Sequence, residues 1–65
     1  MLKDMITSLL NYGLTQQEIS ASTGVAQPAI SRIVTGEQKE VGYAAGKRIE
    51  KLLANVRRVT AKESA

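Results

Sequence analysis

A chain of 65 residues with a formal net charge of +3 has room for one domain, whose core must be small and whose loops must be short. It contains no Cys and no His, which removes disulfides, the usual zinc sites and catalysis by imidazole or thiolate. No apolar run approaches the roughly 20 residues that span a bilayer, and no signal-peptide pattern opens the chain. The expectation is therefore a cytoplasmic protein that is not an enzyme and uses no cofactor.

Leu2, Met5, Ile6, Leu9 and Leu10 recur at i, i+3, i+4, i+7 and i+8, the apolar stripe of a first helix ending near Asn11 to Tyr12. Gly13 stops it, because glycine adopts the left-handed conformation without a Cβ penalty, and Tyr12 is expected to pack on or cap that end. Thr15 and Glu18 have the spacing of a reciprocal capping box, with Leu14 and Ile19 as the hydrophobic staple around it. A short second helix follows from Gln16 to about Ser22, ended by Thr23-Gly24.

Val25 opens the next segment, and Pro28 falls in the first turn of a third helix, where a missing N–H needs no intrahelical partner. That helix runs to Thr35, with Ile30, Ile33 and Val34 as its apolar face and Gly36 as its stop, while Ala26 ahead of it offers no side-chain cap. Glu37 to Gly42 reads as a polar connection. Ala45, Ile49, Leu52, Leu53 and Val56 then recur at helical spacing, which predicts a fourth helix and argues against a strand pair. The pattern fades afterwards, so the helix is expected to fray after Val56 to Arg58, giving a domain over 1–58 and a mobile tail over 59–65.

Charge is unevenly distributed. From Lys39 onward Lys39, Lys47, Arg48, Lys51, Arg57, Arg58 and Lys62 outnumber Glu40, Glu50 and Glu63, which suits a polyanionic partner and equally suits a solvated surface. Two short helices joined by a glycine turn cannot bury themselves alone, so Ile19, Val25, Ile30 and Ile33 must point inward and lock the pair. The third helix then presents Gln27, Pro28, Ser31, Arg32 and Thr35 outward, a polar face with one arginine.

The stretch TQQEISASTGVAQPAISRIVTG, from Thr15 to Gly36, resembles the helix-turn-helix of the phage Cro and repressor (XRE-like) family, and the likeness extends more loosely over about residues 2–56. It rests on the glutamine opening the first motif helix, the turn glycine, the valine after it and the Gln-Pro-x-Ile-Ser-Arg-Ile helix. Ser20 stands where that family usually has alanine, and Ala26 where it often has a hydroxyl-bearing cap. The resemblance implies an all-α, lambda-repressor-like bundle of four or five short helices, distinct from the mixed α/β form of some Cro proteins. It implies a Cro-like transcriptional repressor from a phage or prophage, working in the bacterial cytoplasm or nucleoid as a homodimer on a double-stranded DNA operator, with no small-molecule ligand and no membrane.

The third helix would then enter the major groove with its N-terminal residues at the base edges. Gln27 matches adenine N6 and N7, Arg32 matches guanine O6 and N7, Pro28 meets a thymine methyl, and Ser31 has the reach for a base or a phosphate. Phosphate contacts are expected from Gln16 and Gln17 at a helix N-terminus, from Thr35, and from Lys39, Tyr43 and Lys47 beyond it. Gln16 is equally placed to orient Gln27 or to face water. Leu53, Val56 and Val59 are candidates for a dimer surface. A protein-interaction module of antitoxin or anti-repressor type, with the same fold, is the rival reading.

Overall fold

The computed structural model describes residues 2–64, with side chains described from Leu2 to Thr60. Among the described residues there are four helices and no strand: α1 Leu2–Asn11, α2 Gln16–Thr23, α3 Gln27–Thr35 and α4 Tyr43–Ser64. The chain is all-α with four helices, and α1 and α2 each pack against both α3 and α4. Ile6, Leu9, Ile19, Val25, Ile30, Ile33, Ile49 and Leu53 form the core, so every helix and the α2–α3 turn contribute to it. Each such aliphatic side chain contributes about 1.5–3 kcal/mol when taken from water.

The joint between α1 and α2 follows from three residues. At Gly13, with φ of 104°, the amide of Gly13 donates to Leu10 O and that of Leu14 to Leu9 O, the paired bonds that close a helix on a left-handed glycine. Leu14 thus ends α1 while also standing just before Thr15, the N-cap of α2, where the staple with Ile19 requires an apolar residue. One half-buried leucine fixes the exit of one helix and the entry of the next.

Three expectations change. Leu53 is buried in the core at 5% exposure and is unavailable to a partner, Val56 is half-buried, and only Val59 of the three is exposed. The connection before α4 is not wholly polar, because Val41 packs against the core and Gln38 is half-buried. Finally, α4 continues to Ser64 instead of ending near Val56 to Arg58. The apolar period does stop at Val56, but no Gly or Pro follows it, so nothing breaks the helix there, and it continues through 57–60 with those side chains exposed. Lys62 of the expected tail lies outside the residues whose side chains are described. The longest dimension of the molecule, 37 Å against 21 and 20 Å, agrees with a helix of 22 residues at 1.5 Å each.

Candidate nucleic-acid interface

The orientation of α3 is set by the turn before it. The capping box at the start of α2 is complete: Glu18 N donates to Thr15 Oγ1 at 3.1 Å, and Thr15 N donates to Glu18 Oε1 at 2.9 Å. At its other end Gly24, with φ of 76°, donates its amide to Ser20 O at 2.9 Å. Two side chains then tie the turn down. Ser20 Oγ donates to Val25 O at 2.5 Å, while Thr23 Oγ1 donates to Ile19 O at 2.7 Å and accepts from Val25 N at 3.3 Å. Thr23 is the one buried polar residue among those described, and its hydroxyl satisfies both the helix end and the turn.

With Ile30 and Ile33 in the core, α3 exposes Gln27, Pro28, Arg32 and Thr35, and leaves Ser31 half-buried. Ala26 makes no side-chain cap bond, as its composition dictates, and Pro28 sits in the first turn. Arg32 is not loose on this face. Its Nε donates to Gln38 Oε1 at 3.2 Å, and Gln38 Nε2 donates to Glu40 O at 2.9 Å. The backbone N of Gln38 donates to Arg32 O at 3.1 Å, and Thr35 Oγ1 donates to the same carbonyl at 3.1 Å. The Thr35 hydroxyl therefore keeps only its lone pairs for an outside group.

Gln16, half-buried, and Gln17, exposed, open α2. The capping box engages the amides of Thr15 and Glu18, so the first-turn amides without an intrahelical acceptor are those of Gln16 and Gln17. The Glu18 carboxylate lies at the same helix end and weakens its pull on an anion.

A second cluster lies where the connection meets α4. Lys39, Tyr43 and Lys47 share an open groove of about 510 Å³ with Leu2 and Met5 of α1. Tyr43 is 81% exposed and does not pack on the core, and Lys47 Nζ stands 5.6 Å from its ring centroid. Glu50 Oε2 lies 3.8 Å from the same ammonium, which leaves Lys47 with a weak, solvated ion pair. The expected base-reading residues thus lie along α3, and three of the expected phosphate contacts gather in this groove, Lys39 from the connection after α3 and Tyr43 and Lys47 from the start of α4.

Two residues flanking the motif have partners that their spacing does not signal. Gln38 is one, since nothing in its spacing from Arg32 signals a contact. Arg48 is the other: its Nη1 would lie 3.3 Å from a Cβ at Gly24, so its guanidinium covers the motif turn. Among the described residues no group of carboxylates could hold a metal ion, and no helix is long and apolar enough to cross a membrane.

The Helix-turn-helix family matches residues 8–57. Protein P2 of Acyrthosiphon pisum secondary endosymbiont phage 1 is 47% identical over 49 residues, covering 75% of this chain and 52% of that protein. The chain therefore spans about half the length of the curated relative it matches. No solved structure matches it.

Proposed function

The chain belongs to the XRE-type helix-turn-helix family of DNA-binding regulators, and from that premise we propose that it reads a specific duplex sequence with α3, as a Cro-like phage or prophage repressor. The observation that carries the reading is the division of α3 into two faces. Ile30 and Ile33 are fully buried, while Gln27, Pro28 and Arg32 stand exposed with hydrogen-bonding or methyl-contacting groups. A helix held in this way offers its first turns to the major groove.

Gln27 pairs with an adenine, Arg32 with a guanine, Pro28 with a thymine methyl, and Ser31 with a neighbouring base or phosphate. Gln16, Gln17, Lys39, Tyr43 and Lys47 contact the backbone and fix the register, and Thr35 joins them by turning its hydroxyl proton from Arg32 O to a phosphate oxygen. Residues 1–58 form the binding unit. It works in the bacterial cytoplasm or nucleoid as a symmetric homodimer, since one module of this size offers little interface and paired half-sites one helical turn apart compensate for it. Val56 and Val59, which line a shallow apolar patch with Asn55 and Thr60, are the residues of α4 suited to that contact.

Selection of bound sites from random duplex DNA tests the reading. Arg32→Ala and Gln27→Ala should each lose about 1–3 kcal/mol of discrimination at one base position and little elsewhere. Unchanged preferences in both variants would sink the assignment of α3 as the reader.

A further inference from the structure

We propose that Gln38, in the connection after α3, is a positioning residue for Arg32 that fixes the guanidinium for a guanine and so sets specificity from outside the recognition helix. This rests on the reading of α3 as the element that meets the bases. Arg32 is exposed, and an unrestrained arginine on a helix surface distributes over many rotamers, each of which must be abandoned on binding. Here the Nε–H is held by Gln38 Oε1 at 3.2 Å. A guanidinium has five N–H donors, so this bond uses one and leaves the four on Nη1 and Nη2 as the fork that matches O6 and N7 of guanine.

Gln38 can do this because it is itself held by two further hydrogen bonds. It is half-buried, its backbone N donates to Arg32 O at 3.1 Å, and its Nε2 donates to Glu40 O at 2.9 Å. Arginine only donates and a carbonyl only accepts, so the carboxamide has one orientation that satisfies both neighbours. Glutamine is suited to the position because it both accepts and donates at the right length. Glutamate keeps the acceptor and loses the donor, and methionine keeps the bulk and loses both. The backbone bond from Gln38 to Arg32 closes a loop between the same two residues, so the two bonds restrain the Arg32 side chain and the connection against each other.

Removing such an anchor returns the ordering penalty of one long side chain, worth about 2- to 10-fold in affinity for the sequence that needs it. The test uses the full chain and duplexes varied one base pair at a time. Gln38→Met should lose about 2- to 10-fold of the preference at the base pair that Arg32→Ala affects, with no change at other positions. Gln38→Glu should retain that preference ratio while binding all duplexes more weakly, because it adds a negative charge near the phosphates. In the Arg32→Ala background Gln38→Met should have no further effect on the ratio. In the free protein, the Arg32 Nε proton should exchange with water more slowly in the wild type and in Gln38→Glu than in Gln38→Met. A uniform loss at all positions, or a loss that persists without Arg32, would make Gln38 a structural residue only and overturn the proposal. A gain of preference in Gln38→Met would mean that the bond withholds Arg32 from the duplex, and overturns it equally. A wild type without any base preference would overturn the reading of α3 and this role with it, even where the exchange data confirm the pairing.

Discussion

A single hydroxyl decides how the turn of the motif is held. Thr23 Oγ1 gives its proton to Ile19 O and takes one from Val25 N in a site that is 1% exposed. Thr23→Val preserves the branched shape and removes both bonds, leaving the Val25 amide without a partner in the interior. That should destabilise the protein by about 1–3 kcal/mol, and the loss should appear in urea unfolding as a lower midpoint with an unchanged slope. An unaltered midpoint would show that the site relaxes or admits water. The inward residues Ile19, Val25, Ile30 and Ile33 were legible in the sequence because burial of an apolar side chain follows from its spacing alone. Thr23 and Gln38 were not legible. A polar residue reveals its role only through its partners, and Thr23-Gly24 reads locally as nothing more than a helix end. The exposure of Gln27, Pro28 and Arg32 followed from the same spacing, whereas the tether on Arg32 comes from a connection that has no period to read.

At the level of elements, the glycine turns differ in what surrounds them. Gly13 and Gly24 both have positive φ, 104° and 76°, so a Cβ strains either one. At Gly13 nothing lies within 4 Å of that Cβ, whereas at Gly24 Arg48 Nη1 would be 3.3 Å away. Both alanine substitutions should cost about 1–2 kcal/mol in backbone strain, and Gly24→Ala should also displace the Arg48 guanidinium from the turn. For a domain of this size each kcal/mol lowers the melting temperature by roughly 4–8 °C, so thermal unfolding of the two variants separates the terms. Gly24→Ala should melt below Gly13→Ala, and removal of the Arg48 side chain in the same background should narrow the gap. Equal melting would mean that Arg48 moves aside freely. The stops of α1, α2 and α3 were legible because a glycine follows each, and the starts of α2 and α3 because a capping box marks one and Pro28 the other. The end of α4 was not, since an amphipathic period reports only the part of a helix that covers a core, and α4 continues to Ser64, beyond the last apolar residue of that period at Val56.

For the molecule as a whole, the exposed face of α3 and the main run of positive charge are segregated. The exposed face of α3 carries Arg32 as its single charge, whereas Lys39 and Lys47 stand with Tyr43 beside the groove at the start of α4, and Arg48, Lys51, Arg57 and Arg58 are exposed farther along it. If α3 reads bases while this flank holds phosphates, affinity and preference must respond to different variants. Each phosphate neutralised releases condensed counterions, so the logarithm of the binding constant should fall linearly with the logarithm of salt concentration, by about 0.9 for each contact on duplex DNA. Lys39→Ala and Lys47→Ala should each reduce that slope by about one while leaving the ranking of duplexes unchanged. Gln27→Ala should leave the slope intact and alter the ranking. The measurement is a titration of labelled duplex at several salt concentrations for the wild type and these three variants. Lys47 is the sharper case, because its ion pair with Glu50 at 3.8 Å is exposed and must be given up for a phosphate, which sets a modest penalty against the gain. A slope unmoved by either lysine would assign backbone contact elsewhere on α4. A wild type whose binding to its partner barely depends on salt would favour a protein-interaction module built on the same four helices, since an apolar interface releases no counterions.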